Sequence, residues 1–148
     1  TMPGVPDVYQ GTPMQALSLV DPDNRRPVDW DAADDAHPKQ RLVRAALRLR
    51  RERPGSFVEG SYAPIAADGP AADHLLGFLR GPRDGAPDVA ALATRHSLRL
   101  ERTGGWRDTH VDLGDDSWTD RLTGNVVAGR TPLNEVFLEH PVALLVRE

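Results

Sequence analysis

Met2-Pro-Gly-Val-Pro-Asp-Val-Tyr-Gln-Gly11 and, a little further on, Asp21-Pro-Asp-Asn-Arg-Arg-Pro-Val-Asp-Trp30 are the stretches on which the reading of this chain turns. The first sets Pro3, Gly4, Pro6 and Gly11 around the apolar residues Val5, Val8 and Tyr9, and reads as a short buried strand over 3–10. The second gathers Asp21, Asp23 and Asp29, the adjacent Arg25 and Arg26, and Trp30, with Pro22 and Pro27 stiffening it. Proline fixes its own φ and restricts the residue before it, so an ordered loop is expected. An ordered, charge-dense loop behind a short buried strand is where α/β enzymes place groups that touch substrate. The strand has no earlier element to pair with, and the segment beginning at Thr1 therefore reads as cut from a larger protein.

Working outward, the 148 residues suit one ordinary domain, or a small domain with a piece of another. A chain of this size can bury roughly 70% of its unfolded surface, enough for a core of its own. A net charge of −4 argues against a dedicated nucleic-acid or polyanion binder. With 39% hydrophobic and 27% charged residues the composition is that of a globular protein. The absence of cysteine excludes a disulfide framework and a thiolate metal site, and fits a cytoplasmic setting. No apolar run approaches the ~20 residues that span a bilayer, and no signal-peptide pattern opens the chain. Neither a membrane nor a nucleic acid is expected as a partner.

The stretch 11–38 carries Pro13, Pro22, Pro27 and the acidic run Asp31 to Asp35, and reads as a long functional loop. From Lys39 to Arg53 the pattern is helical: Leu42, Ala45, Ala46 and Leu49 recur at spacings of three and four, with Pro38 at the first position and Pro54-Gly55 as the stop. Strands are expected over Phe57–Ala63, Asp73–Arg80, Val89–Arg95, Thr109–Leu113, Trp118–Leu122 and Val142–Arg147. Turn clusters separate them at 67–70, 81–85, 104–105, 114–116 and 123–125, and a short helical piece is expected near Pro132–Glu139. Short strands at this spacing suggest an antiparallel β-sandwich.

Few constellations carry chemistry. Asp21, Asp23 and Asp29 share one loop, whereas a glycosidase pair needs two acids facing each other across a cleft. Asp21-x-Asp23 also fails as a calcium loop, since Arg25 stands at the fifth position and no glycine at the sixth. The five histidines, at 37, 74, 96, 110 and 140, show no metal-ligand spacing, so neither a metal nor another cofactor is expected. Arg25 and Arg26 either clamp sugar hydroxyls or a carboxylate, or pair with the neighbouring aspartates and brace the loop. Arg41, Arg44, Arg48 and Arg51 form a basic stripe on the helix, read as a solvated face or one covered by another domain. Trp106 and Trp118 read as core residues, whereas Tyr9 and Trp30 flank the charged loop and are open to stacking on sugar rings.

The run Pro3 to Thr12, then Leu17-Ser-Leu-Val-Asp-Pro-Asp-Asn-Arg-Arg-Pro-Val-Asp29, closely resembles the C-terminal third of the maltooligosyltrehalose synthases, a family of the α-amylase superfamily. Leu47–Pro54, Gly104–Asp108, Trp118–Gly124 and Pro141–Val146 are similar to the same enzymes, so the resemblance covers essentially the whole chain. It implies that residues 1–55 are the last strand, substrate-side loop and last helix of a (β/α)₈ barrel, and that 56–148 are a C-terminal β-sandwich domain. It implies an intramolecular transglucosylation, formally an isomerisation, that converts the reducing-end α-1,4 linkage of a maltooligosaccharide to an α,α-1,1 linkage during trehalose synthesis. In the superfamily the nucleophile, the acid/base and the supporting aspartate lie on earlier barrel strands. No catalytic residue is therefore assigned here, and the chain alone is expected to be inactive. The sugar-facing wall implied by the resemblance is Tyr9, Gln10, Asp23, Asn24, Arg25 and Arg26. Members commonly have a glutamate where this chain has Pro13, which removes any carboxylate role there.

The implied partners are the maltooligosaccharide and the remainder of the barrel. Without that barrel, residues 1–37 are expected to rearrange, lose order or drive self-association. Two alternatives concern the β-region: a carbohydrate-binding domain, or a purely structural one in another α-amylase-family enzyme. The low aromatic content, three Trp, two Tyr and three Phe, counts against sugar binding.

Overall fold

The computed structural model describes residues 1–9, 11–14, 27–28 and 37–148. Helix α1, Pro38–Glu52, begins as the sequence suggests, with Pro38 in the first turn, where a missing N–H leaves no bond unmade. Arg50 and Arg51 sit in its last turn, the favourable end of the helix dipole for cations. Pro54 ends α1 and opens a single turn, α2, Pro54–Phe57. Phe57, expected in a strand, is therefore helical, and the turn drives its ring into the core beside Leu49; each is 1% exposed.

Seven strands follow: β1 (Ser61–Pro64), β2 (Ala67–Asp68), β3 (Leu75–Gly81), β4 (Val89–Thr94), β5 (His110–Asp120), β6 (Val126–Pro132) and β7 (Val142–Arg147). Two further short helices interrupt them, α3 (Ser97–Arg102) and α4 (Leu133–Val136), the second inside the span where a helical piece is expected. Every pairing is antiparallel, and the order across the sheet is β1-β3-β4-β7-β5-β2, with β6 on the free side of β5.

Where the sequence predicts two stacked sheets, all seven strands join one. The cause is β5, whose first residues pair with β2 and whose last, Trp118 to Asp120, pair with β7. Its register with β6 shifts between Asp112 and Ser117, at Gly114 with φ +71°, where the Asp112 carboxylate accepts the Gly114 N–H at 3.0 Å. The Gly114-Asp115-Asp116 cluster expected as a turn between strands is thus a bulge within one strand, and bulges bend sheets. The bend lets Val111 and Leu113 of β5 share a core with Ala90 and Leu92 of β4 and Ala143 and Leu145 of β7.

The central strands are buried on both faces. On β4 and β7, Ala90, Leu92, Ala143 and Leu145 face that larger core, while Val89, Leu144 and Val146 face a second core with Leu49, Phe57 and Leu122. Leu42, Ala45 and Ala46 of α1 pack onto this second core, so the helix closes one face of the sheet. A strand covered on both sides needs a continuous apolar run, and Val142-Ala-Leu-Leu-Val146 supplies it. Strand β6 and helix α3 are absent from the sequence reading because β6 is mostly exposed and interrupted by Gly129, while α3 buries only Leu100.

Of the buried strand predicted over 3–10, residues 3–9 are described, and they are neither buried nor a strand. Val5 is 94% exposed, and Met2, Val8 and Tyr9 are exposed as well. The physical reason is plain: among the described residues no strand lies alongside to complete a hydrogen-bonding ladder. Side chains of the folded region hold this segment instead: Arg80 Nη1 donates to the Thr1 carbonyl at 3.2 Å and Arg50 Nη2 to that of Gly4 at 3.1 Å. No described helix is long and apolar enough to cross a membrane.

Candidate functional site

Of the six residues expected on a sugar-facing wall, Tyr9 is described, whereas Gln10, Asp23, Asn24, Arg25 and Arg26 lie outside the described residues. Asp21, Asp29 and Trp30 lie outside them too. Tyr9 opens a compact turn: its carbonyl accepts the Thr12 N–H at 3.1 Å and the Thr12 hydroxyl at 2.6 Å, and the Gly11 carbonyl accepts the Met14 N–H at 3.2 Å. Gly11, with φ +78°, makes the reversal, and Val28 lies against it. Lys39 Nζ donates to the Met14 carbonyl at 3.3 Å, which ties the turn to the start of α1. Tyr9 is 61% exposed.

The aromatic residues of the β-region are spoken for. Trp106 is buried and stacks on Phe137 with ring centres 5.2 Å apart. Trp118 is buried and donates its indole N–H to the Leu113 carbonyl at 3.0 Å. Tyr62, half exposed on edge strand β1 and 5.3 Å from the Phe78 ring, is the aromatic of the β-region left most open among the described residues.

The buried charges also have structural work. Asp120 Oδ1 accepts the N–H groups of Leu122 and Leu144 at 3.0 and 3.1 Å, and Oδ2 accepts the Thr123 hydroxyl at 3.0 Å. One carboxylate thus fastens the β5–β6 turn to β7. Arg80, 1% exposed, donates to the carbonyls of Ser61, Phe57 and Thr1 and lies over the Phe57 ring. Burial, and next the Arg50 cation, pull its pKa below the ordinary arginine value. Asp88 pairs with Arg53 at 3.0 Å and accepts the Ser56 hydroxyl at 3.0 Å, pinning the α1–α2 junction to the start of β4. Arg41 of the basic stripe donates to the Leu122 carbonyl at 2.8 Å, so that end of the stripe leans on the β5–β6 turn.

A second constellation was missed in the sequence. A cleft of about 750 Å³ opens between the β2–β3 connection and α3, and Arg95, Arg99, Arg107, His74, His96 and Asp73 are among its lining residues. His74 is buried, and its Nδ1 faces the Arg95 carbonyl at 3.0 Å; a carbonyl only accepts, so the proton sits on Nδ1. Arg95 Nη2 donates to His96 Nε2 at 3.0 Å, and the two imidazoles stand edge to face, 6.4 Å apart. His96 and Arg107 have φ of +54° and +48°, the positive-φ residues other than glycine among those described. Arg95, Arg99, Thr103 and Arg107 recur every fourth residue, but only Arg99 lies within α3, and left-handed residues at His96, Gly104 and Gly105 break the helical period on either side, so the loops rather than a helix face bring them together. No described residues form a group of three or more histidines or carboxylates able to hold a metal ion.

No family model matches the chain. It is 52% identical, over an alignment of 153 positions covering all of it, to the "Putative maltooligosyl trehalose synthase" of Mycobacterium tuberculosis strains CDC 1551 and H37Rv. The fold matches the solved maltooligosyltrehalose synthase of Arthrobacter ramosus with a TM-score of 0.85 and 45% identity over 98% of this chain, and a mutant of that enzyme equally well. The chain spans about a fifth of the length of each of these relatives, 19% in the first case and 20% in the second. In sequence and in fold alike, it is similar along essentially its whole length to a fifth-long segment of the maltooligosyltrehalose synthases.

Proposed function

We propose that this chain serves as the C-terminal part of a maltooligosyltrehalose synthase of the α-amylase superfamily. The observation that carries the reading is the 52% identity over an alignment that covers the whole chain, joined to the close match in fold. The reaction of the whole enzyme is the intramolecular transglucosylation of trehalose biosynthesis, an isomerisation. The reducing-end α-1,4 bond of a maltooligosaccharide is exchanged for an α,α-1,1 bond, leaving a trehalosyl end. The enzyme works in the cytoplasm, needs no cofactor, and draws its catalytic carboxylates from barrel strands outside this chain.

In this reading residues 1–55 complete the catalytic barrel and 56–148 support it. The exposed Met2, Val5 and Val8 support the first half of that division, since a last barrel strand would find its cover in the neighbouring strands. Tyr9, Gln10, Asp23, Asn24, Arg25 and Arg26 form part of the wall against the sugar. The β-region acts as a structural cap rather than a sugar-binding module, a reading favoured by the burial of both Trp106 and Trp118. It closes the face of α1 carrying Leu42, Ala45 and Leu49 and so fixes where the last helix stands.

The test is a chimera in which residues 1–148 replace the matching fifth of the Arthrobacter ramosus enzyme. Anomeric proton NMR with maltoheptaose should show α,α-1,1 linkages appearing with the chimera and none with residues 1–148 alone. A folded chimera without transglucosylation, or turnover by the chain alone, would reject the proposal. Arg25→Ala and Arg26→Ala in the chimera should each raise KM for maltoheptaose about tenfold, the loss of roughly 1.4 kcal/mol of sugar contact.

A further inference from the structure

The arginine cleft beside α3 has no part in that reading. Elsewhere Arg53, Arg121, Arg130 and Arg147 each lie within 3.0 Å of a carboxylate. Arg95, Arg99 and Arg107, which line the cleft together, make no ion pair with any described carboxylate. Arg95 is engaged by His96, and Arg107 Nη2 donates to the Pro70 carbonyl at 3.1 Å, so both guanidiniums are oriented without being neutralised. Asp73 is the one acidic residue in the lining, which leaves the cleft with two more positive than negative side chains in a chain of net charge −4.

Backbone strain points to the same place. Left-handed conformations are unfavourable for residues with a β-carbon, and both such residues described, His96 and Arg107, line this cleft. Strain of this kind persists where surrounding structure holds a functional side chain in position. The cavity is the size of a small-ligand site.

We propose that this cleft binds a small phosphate-bearing molecule, with Arg99 and Arg107 as its main ligands and Arg95 and His96 as the pair that shapes the rim. Guanidinium matches phosphate through parallel N–H donors, and the excess of two positive charges fits a phosphate dianion better than a single carboxylate. The ligand is either free phosphate or a phosphate ester of a sugar.

The test is a titration of ¹⁵N-labelled 1–148 with inorganic phosphate and with glucose 6-phosphate at constant ionic strength. Saturable shifts should centre on the amides of His74, Arg95, His96, Arg99, Thr103 and Arg107. Arg99→Gln and Arg107→Gln should each weaken binding at least fivefold with the thermal midpoint unchanged, both side chains being exposed. Arg51→Gln, on the basic stripe of α1, should leave the affinity as it is. Tighter binding of glucose 6-phosphate identifies the ester as the ligand, and equal binding identifies free phosphate. Unsaturable shifts, shifts that follow the α1 stripe, or affinity indifferent to Arg99→Gln and Arg107→Gln would overturn the proposal. So would saturation of the same amides by maltose and not by phosphate. None of these outcomes depends on the transglucosylase reading, which is decided by the chimera.

Discussion

Valine behaves in opposite ways in the opening segment and in the sheet of this chain. Val89 and Val146, in strands β4 and β7, are 0% and 3% exposed, whereas Val5, in the opening segment, is 94% exposed. The residue type is the same; what differs is whether the chain provides something to lie against. In the β-region the sheet bends at the β5 bulge and α1 closes its outer face, so two cores form from residues 38–148 alone. In the opening segment a short apolar run read as a strand has no strand beside it among the described residues. Local pattern states what a segment is fit for, and the neighbours decide whether it becomes that.

The comparison is open to direct attack. The largest effect is expected where the helix meets the sheet: Phe57→Ala should lower unfolding stability by about 4 kcal/mol in urea titration, through lost burial and the cavity left behind. A loss below about 1 kcal/mol would mean that α1 and α2 do not belong to the folded unit. Asp120→Ala should follow at about 3 kcal/mol, because two backbone N–H groups, of Leu122 and Leu144, lose a charged acceptor in buried surroundings. Gly60→Ala should be worse than an ordinary surface change, by about 2 kcal/mol, since a β-carbon there would run into the Ser56 and Gly81 carbonyl oxygens. Val5→Asp should shift stability by less than about 0.5 kcal/mol in the isolated chain. In the Arthrobacter chimera the same substitution should lower the thermal midpoint by several degrees, because there the side chain would be covered. Equal indifference in both settings would break the link between the opening segment and a barrel.

The parts of the fold readable in advance were those whose signal is local and redundant. Pro38, the spacing of Leu42, Ala45 and Leu49, and Pro54 bracket α1 to within a residue of its observed ends. The apolar run at 142–146, bounded by Pro141, marks the strand β7. Strand β6 escaped because Val126, Ala128 and Arg130 are exposed and Gly129 breaks its pattern. The joining of two strands into β5 escaped because Gly114-Asp115-Asp116 has the composition of a turn, and only the pairing with β6 on both sides reveals a bulge. The single bent sheet is a consequence of that bulge, a long-range fact with no local signature. For the sugar-facing wall, Tyr9 is exposed, and the remaining residues of that wall lie outside the described part. The arginine cleft was not legible: its arginines come from a short helix and the loops on either side of it, and His74 arrives from the β2–β3 connection.

Hydrogen exchange of residues 1–148, read amide by amide, tests the central contrast most directly. The account predicts that amides of β4 and β7 exchange only with global unfolding, while those of residues 4, 5 and 7–9 exchange within about tenfold of unstructured peptide rates. Protection in the opening segment equal to that of β7 would contradict it, for it would show that these residues are already complete without a barrel around them.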